Sequence, residues 1–488
     1  MDDRSDLSGR SIPVLRITSM ASAEHARAGK RVLPESIMFE LCVGGELVGC
    51  WTATPQDMGL QPHELFKKVA DRFPRTTHAI ERCFQTFDWI GDRRVDAVRH
   101  SLPFTSLPLR IRRGLSSALS ENRPEEGAED VELWLEFADS TGLMPLVGWE
   151  RILRTVTAQP VLRLPYSRVP LIVNNSRLEI AFCCTAPATD SRPSVKELRE
   201  LAEKIVSSAR AAAHCELHVF ADRFYYEELK KQIPDNLPIH VYDPLKAAVS
   251  FDAPGAHPWR RWMVDELKGR AIDVFHTVAP ARFSGQDEAF LIVARLPAIS
   301  EISRDSPVPV RFVSAYEHAQ FCAQFGAWAT VFTSFGSADE RTATAAVADG
   351  VARCRPGVVA LHDSAADLFL SGVADLYRFL SEGAKKAPRN DALSVYCNPK
   401  RLAAKETTTD PFWAGILTAE VPEQLETTEE VPEWLAAAHR ILESSAMLYL
   451  EPSASDSKDQ ASREGARDAL RFVSATLAKL GKTREDIL

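Results

Sequence analysis

The stretch from Gly326 to Gly383, GAWATVFTSFGSADERTATAAVADGVARCRPGVVALHDSAADLFLSGVADLYRFLSEG, decides the fold that this sequence predicts. Ala329–Thr333 and Val358–Leu361 are short apolar runs rich in β-branched residues, which is typical of buried strands. The Ala-rich segment Thr342–Arg353 between them favours a helix, and Pro356-Gly357 ends it. Two buried strands joined by a helix predict a parallel βαβ unit.

A second helix is predicted after this unit by apolar residues at helical spacing that end before Gly383. These residues are Leu368, Val373, Leu376, Phe379 and Leu380. The loop after the first strand is where open α/β sheets usually carry their chemistry. Here that loop begins with Ser334, Phe335 and Gly336, and no cysteine, histidine or carboxylate occurs in it before Asp339. The sequence therefore predicts a site position without catalytic side chains.

The rest of the chain alternates strand and helix patterns with short connections. Predicted strands include Leu178–Cys184, Leu217–Phe220, Ile239–Tyr242, Ile272–His276 and Phe290–Ala294. Between the strands Leu178–Cys184 and Leu217–Phe220, the spacing of Ser194 and Glu197 predicts a capping box at the start of a helix. This alternation predicts an α/β fold with a mostly parallel sheet and helices on both faces.

These patterns predict that the chain divides into four segments. Residues 1–106 form a β/α extension, in which Gly44-Gly45 predicts a hairpin, and residues 107–417 form the core. Residues 418–430 are an acidic linker, and residues 431–488 hold the C-terminal helical pair Trp434–Leu450 and Ala461–Leu480. We expect Val131–Phe137 to be a half-exposed strand, since it alternates apolar and acidic residues.

Composition excludes several classes of function. The net charge of −9 argues against a general nucleic-acid binder, and no apolar stretch approaches the length of a membrane span. The nine cysteines are scattered and lack C-x-x-C spacing, which is typical of reduced thiols in the cytoplasm. The polar, acidic start is unlike a signal peptide. We expect a cytoplasmic protein that uses no metal or cofactor.

Several short segments occur in an order that one family shares. They are Pro145 with Trp149–Leu153, Arg163-Leu164-Pro165, the strand Leu178–Pro187, Pro356–Leu361, Phe369–Gly383 and Asp410–Ala414. From about Leu107 to Leu417, the chain thereby resembles the CHAT domains, the caspase-like cysteine peptidases of bacteria. The resemblance implies a caspase-like sheet for the core.

The catalytic positions of that family are replaced here. CHAT peptidases carry V-H-F-x-x-H-G, with the general base at the second histidine, and V-x-N-A-C-E-S, with the nucleophilic cysteine. Val274–Ala281 fits the first frame, with His276 on the first histidine and Pro280 on the second. Val331–Ser337 fits the second frame and places Phe335 on the cysteine. Proline and phenylalanine neither attack a carbonyl nor move a proton, so the resemblance implies a lapsed dyad.

Three residues are weak candidates for replacing the dyad. His276 lies four residues before the general-base position, about 13 Å along a strand, and we expect a half-buried structural histidine. Ser334 should point to the face opposite the nucleophile position. Cys322 shares a helix face with His318, and we expect both to pack in the core. Cys354 follows Arg353 and precedes Arg355, which predicts a lowered pKa for its thiol.

Two surface features are candidates for contact with a ligand or partner. Arg110, Arg112 and Arg113 form part of a basic cluster that we interpret as a solvated face. Phe335 at a loop tip would add an apolar element where a substrate would lie. A peptide segment of a partner could then occupy the cleft without being cut.

The sequence therefore predicts a catalytically inactive CHAT-like protein that acts by binding. The resemblance implies a scaffold or regulatory subunit in a bacterial signalling or antiviral defence module, with a protein partner or second subunit. One alternative is an active cysteine endopeptidase with relocated catalytic residues. Another is a nucleotide-sensing or filament-forming subunit, in which the arginine cluster would contact a phosphate ligand.

Overall fold

The computed structural model describes most of the region between residues 12 and 404. The described residues are 12–20, 35–58, 107–122, 131–138, 144–166, 172–173, 177–185, 193–210, 214–244, 257–284, 288–295, 310–336, 338–382, 386–399 and 403–404. The predicted linker and the two predicted C-terminal helices lie outside the described residues.

The helices and strands of the described residues alternate as expected for an α/β protein. The helices are α1 Leu109–Glu121, α2 Trp149–Leu153, α3 Val195–Ala209, α4 Arg223–Gln232, α5 Arg260–Leu267, α6 Ala315–Gln324, α7 Ala338–Cys354 and α8 Ser371–Ser381. The strands are β1 Pro13–Met20, β2 Ser36–Val43, β3 Glu46–Ala53, β4 Leu133–Phe137, β5 Val161–Arg163, β6 Ile172–Val173, β7 Arg177–Cys184, β8 His214–Ala221, β9 Ile239–Tyr242, β10 Val274–Val278, β11 Ala281–Ser284, β12 Glu288–Ala294, β13 Val310–Ser314, β14 Ala329–Ser334, β15 Val358–Asp363, β16 Leu393–Tyr396 and β17 Ala403–Ala404.

Twelve of these strands form one sheet in the order β3-β2-β1-β4-β5-β16-β15-β14-β10-β7-β8-β9. From β15 to β9 every neighbouring pair is parallel, and β16 closes this block antiparallel to β15. The N-terminal strands join the same sheet, because β1 pairs in parallel with β4. A large, mostly parallel sheet flanked by helices confirms the predicted fold class and is consistent with a caspase-like α/β fold.

The stretch that decided the prediction forms the expected βαβ unit. β14 and β15 are parallel neighbours, in register from Ala329 opposite Val358 to Ser334 opposite Asp363. The connecting helix α7 begins at Ala338, four residues before the predicted start. Asp339 and Glu340 extend it, because carboxylates in the first turn interact favourably with the helix dipole.

Helices cover the sheet on both faces. On one face, which we call the α7 face, the apolar sides of α1, α5, α6 and α7 pack on residues such as Phe275 and Phe332. On the other, the α8 face, α3, α4 and α8 pack on residues such as Val274 and Val331. Ser194 and Glu197 form the predicted capping box at the start of α3. Because both faces are covered, the side chains of β10 and β14 are buried along their whole length.

Three predictions of local structure were wrong. Phe290–Ala294 does not continue the main sheet, because β12 pairs with β11 and β13 in a separate antiparallel sheet. The strand within Val131–Phe137 is mostly buried, because β4 has a core on each face. Leu368 precedes α8 and is 83% exposed, so it is not part of the buried stripe of that helix.

Candidate functional site

The two lapsed dyad positions lie at neighbouring strand ends. β10 and β14 are parallel neighbours, with Thr277 opposite Phe332. Pro280 and Phe335 each come three residues after this pair, so both lie just beyond the ends of their strands. Pro280 is buried, and its carbonyl accepts a hydrogen bond from the Ile292 amide at 2.8 Å. Phe335 is partly buried against the core of the α8 face.

An ion pair connects the two elements that follow these strands, β11 and α7. Arg282 Nη1 donates to Glu340 Oε2 at 2.8 Å, and the two side chains are 17% and 6% exposed. Gly336 makes room for this arrangement, since a Cβ there would collide with the Glu340 carboxyl group. No sequence pattern predicts this pair, because its partners are 58 residues apart and neither lies in the segments that carry the resemblance.

His276 is fully buried rather than half-buried. Its Nδ1 lies 2.9 Å from the Tyr377 hydroxyl, and its Nε2 lies 2.8 Å from Thr333 Oγ1. Burial, with a contribution from nearby His362, lowers the pKa of His276 to about 3. Both ring nitrogens are therefore engaged within the core, and the imidazole stays neutral at pH 7. A neutral, fully bonded imidazole under the sheet rim has a structural role.

His276 belongs to a continuous buried hydrogen-bonded chain, the rim network of Tyr377, His276, Thr333, His362 and Asp367. His362 Nδ1 lies 3.2 Å from Thr333 Oγ1, and its Nε2 lies 3.2 Å from Asp367 Oδ2. Because a carboxylate only accepts, His362 Nε2–H donates to Asp367. The chain ties β10, β14 and β15 to α8.

A hydroxyl, an imidazole and a carboxylate in this order are also the parts of a hydrolase triad. Here Thr333, His362 and Asp367 are 1%, 0% and 5% exposed, so a substrate does not reach the hydroxyl. Asp367 also accepts hydrogen bonds from the amides of Ser371 and Gly372 at the start of α8. Asp367 therefore caps the start of α8, and the arrangement of Thr333, His362 and Asp367 favours stability over catalysis.

The described thiols are not prepared for catalysis. Burial raises the pKa of Cys322 to about 11 and lowers that of His318, its neighbour on the same helix face, to about 3. His318 Nε2 instead lies 3.3 Å from Thr277 Oγ1. The prediction that both residues pack in the core agrees with their burial. None of the hydrogen bonds of His276, His318 and His362 goes to a cysteine.

The prediction for Cys354 was wrong. Partial burial raises the pKa of this thiol, although the positive charge of Arg353 opposes the shift. Arg355 does not help, because its guanidinium turns into the core and donates to the Ala327 carbonyl. A raised pKa leaves Cys354 a weak nucleophile at pH 7.

The arginine candidates lie far from the rim. Arg110, Arg112 and Arg113 are exposed on α1, and Arg110 Nη2 donates to the Thr52 carbonyl of β3 at 2.6 Å. Six strands separate β3 from β14 in the sheet. The structure therefore does not bring these arginines together with Phe335.

An apolar tip projects beside the lapsed positions. Leu368 and Phe369 are 83% and 85% exposed, and we call this pair the apolar tip. The loop is anchored, since the Ser364 amide and hydroxyl donate to the Ser334 carbonyl at 3.1 and 2.8 Å. Leu370 adopts φ 52°, a left-handed conformation that leucine rarely takes without support from its surroundings. The sequence pattern assigned Leu368 to a helix and so missed this surface.

No family model, curated protein or solved structure matches the chain. Among the described residues, no helix is long and apolar enough to cross a membrane. The same residues contain no group of three or more histidine, cysteine or acidic side chains that could hold a metal ion.

Proposed function

We propose that this chain is a catalytically inactive, caspase-like binding protein that acts as a scaffold or regulatory subunit. Its resemblance to CHAT domains supports a role in a bacterial signalling or antiviral defence module, with a protein as its partner. The described cysteines are all free, which supports a cytoplasmic setting.

The arrangement of the rim is the observation that carries this proposal. Pro280 and Phe335 follow the ends of the neighbouring strands β10 and β14, where a caspase-like peptidase needs its imidazole and thiol. The Arg282–Glu340 ion pair also joins β11, which follows Pro280, to α7, which follows Phe335. The described thiols with resolved pKa shifts all have raised values, so none is activated in exchange.

The apolar tip is the surface that we assign to the partner. Exposed Leu and Phe side chains cost solvation free energy, and binding recovers it by burying them. The tip is also held in place. Before it, Ser364 is bonded to the Ser334 carbonyl, and after it, the Gly372 amide donates to Asp367. A pre-organised apolar anchor loses little conformational entropy on binding, which favours a role as an interaction hot spot.

Changing the apolar tip should therefore abolish partner binding without unfolding the protein. We expect Leu368→Ser/Phe369→Ser to lose a partner that the wild-type chain captures by crosslinking from its native cells, identified by mass spectrometry. Leu47→Ser/Tyr316→Ser is the matched control, because those side chains are also 58% and 59% exposed but lie elsewhere. Equal capture by both double variants contradicts the assignment of the surface. Cleavage of the partner by the wild-type chain, lost in Cys322→Ser or Cys354→Ser, contradicts the proposed inactivity.

Restoring the dyad residues tests whether Pro280 and Phe335 are the lapsed positions. In Phe335→Cys/Pro280→His, the new imidazole should lower the pKa of the new thiol and speed its alkylation about tenfold at pH 6.5 over Phe335→Cys alone. Peptide mapping by mass spectrometry distinguishes this thiol from the native cysteines. Phe335→Cys/Tyr316→His is the control, with the histidine placed on an exposed site. Equal alkylation rates in folded samples of all three variants would falsify the placement of the dyad.

A further inference from the structure

A cavity of about 130 Å³ lies on the α7 face, at the carboxyl ends of β14 and β15. Its walls come from the Met144–Leu146 turn, α2, α7, β15 and β16, and its apolar lining includes Leu146, Val147, Ala345 and Leu361. A cavity of about 150 Å³ accommodates benzene, so this one suits a ligand of about six non-hydrogen atoms. The cavity and Phe335 lie on opposite faces of the sheet, so it is separate from the lapsed dyad.

One end of the cavity presents hydrogen-bonding groups that the protein leaves unused. Ser334 is 2% exposed, and its Oγ has no hydrogen-bond partner among the described residues. Nε of Arg341, which also lines the cavity, likewise has no hydrogen-bond partner among the described residues. A buried hydroxyl or N–H without a partner is costly, and this cost is removed when a ligand supplies the partner.

Asp363 completes this polar end. It pairs with Ser334 across the β14–β15 ladder, and side chains of paired residues point to the same face of a sheet. Its Oδ2 accepts from Arg341 Nη1 at 2.5 Å, and its Oδ1 accepts from the Ala365 amide at 3.1 Å. Carboxylate oxygens have further lone pairs, so Asp363 can also accept from a ligand N–H. The polar end thus offers two donors beside one acceptor.

The charges at the polar end favour a neutral ligand group over a carboxylate. Arg151, Arg163 and Arg341 face Glu150, Asp363 and Asp391, so the formal charges cancel. Arg163 and Glu150 bond each other, and Arg341 bonds Asp363, so neither guanidinium is left to neutralise an added carboxylate. A neutral group with an acceptor oxygen next to an N–H fits this pattern.

We propose that the cavity binds a primary carboxamide on a short apolar chain. The amide oxygen accepts from Ser334 Oγ–H and Arg341 Nε–H, the amide nitrogen donates to Asp363, and the methylene groups contact Leu146 and Leu361. The side chain of free glutamine and that of a glutamine residue in a bound segment share this chemistry, and in both cases only the side chain enters the cavity while the charged or backbone groups stay outside it. The proposal depends on the cavity alone, so it stands or falls separately from the proposed binding function.

Ligand-observed saturation-transfer NMR on the full chain tests this site. The probes are free glutamine and N-acetylglutamine methylamide, each compared with its glutamate and methionine counterparts. We expect saturation transfer to a glutamine probe that exceeds that to both counterparts. Transfer to free glutamine alone identifies a small-molecule site, whereas transfer to the methylamide alone identifies a peptide side-chain site. No preference for either glutamine probe overturns the proposal.

Two variants attribute the binding to the cavity. Ser334→Ala should weaken it about tenfold, the value of one hydrogen bond, while the melting temperature stays equal or rises. The rise follows because the variant removes a buried hydroxyl that lacks a partner. Ala345→Leu should abolish binding by filling the cavity from α7 without touching the polar groups. Ala323→Leu, on an exposed position of α6, is the control. If Ser334→Ala and Ala345→Leu bind as the wild type does, the ligand lies elsewhere and the assignment fails.

Discussion

Replacing Arg163 with methionine should lower the free energy of unfolding by about 3–5 kcal/mol, because it removes one partner of a buried ion pair. The side chains of Arg163 and Glu150 are each 3% exposed, and Nε donates to Glu150 Oε1 at 2.7 Å. The Nη2 group donates to Glu150 Oε2 at 2.9 Å and to the Val147 carbonyl at 2.8 Å. The Nη1 group donates to the Pro145 carbonyl and to the Tyr396 hydroxyl.

The size of this loss in unfolding free energy follows from the buried groups that lose Arg163 as a partner. Burial alone would lower the pKa of Arg163, but the nearby Glu150 carboxylate and Tyr396 raise it, so the side chain stays charged. Methionine preserves much of the volume and leaves Glu150 with the hydrogen bond from Ser394 Oγ, at 2.9 Å. An uncompensated buried carboxylate and the Pro145 carbonyl, which loses its donor, then destabilise the folded state, whereas the Val147 carbonyl still accepts from the Trp149 amide.

Urea denaturation followed by far-UV circular dichroism measures the effect. The matched control is Arg163→Met/Glu150→Leu, which removes both charges and should recover most of the loss, since an apolar pair of similar volume tolerates burial. A loss below about 1 kcal/mol in Arg163→Met, typical of exposed pairs, contradicts the burial of this ion pair.

The second large effect is expected at Asp367. Asp367→Ala should lower the free energy of unfolding by about 2–4 kcal/mol, because it removes the helix-capping acceptor and leaves buried His362 without its carboxylate. Oδ1 accepts from the Ser371 amide at 3.0 Å, and Oδ2 accepts from the Gly372 amide at 2.6 Å. These hydrogen bonds and His362 hold the pKa of Asp367 well below its usual range, against the effect of burial.

Asp367→Asn separates the two contributions. It keeps one acceptor oxygen for the start of α8 but removes the negative charge at the end of the rim network, so we expect an intermediate loss. Asp375→Ala, a more exposed position on the same helix, should change stability by less than about 0.5 kcal/mol. Urea denaturation should show the largest loss of unfolding free energy for Asp367→Ala, an intermediate loss for Asp367→Asn and the smallest loss for Asp375→Ala. Equal stability of Asp367→Ala and wild type is incompatible with a structural rim network.

Asp367→Ala should also weaken partner capture, since the apolar tip directly follows this residue in the chain. The loss would come from a less ordered tip rather than from a missing contact. Asp367→Asn, which keeps a capping oxygen, should retain more capture than Asp367→Ala.

Part of the sequence that carries the resemblance makes structural contacts. Glu150 and Arg163 form the buried ion pair, and the Trp149 indole donates to the Met144 carbonyl at 2.7 Å. Arg163 also donates to the Pro145 and Val147 carbonyls, so these contacts hold the segment before α2 against β5.

The sequence by itself determined the α/β class, the βαβ unit around Ser334 and the absence of thiol and imidazole at Phe335 and Pro280. These features follow from local periodicity and residue chemistry, which the chain carries in order. Only the tertiary structure decided that β12 leaves the main sheet, that His276 is fully buried, and that Arg282 meets Glu340. Each of these depends on segments far apart in the chain, and no local pattern encodes which strands become neighbours. The cavity beside Ser334 depends on packing between separate elements for the same reason.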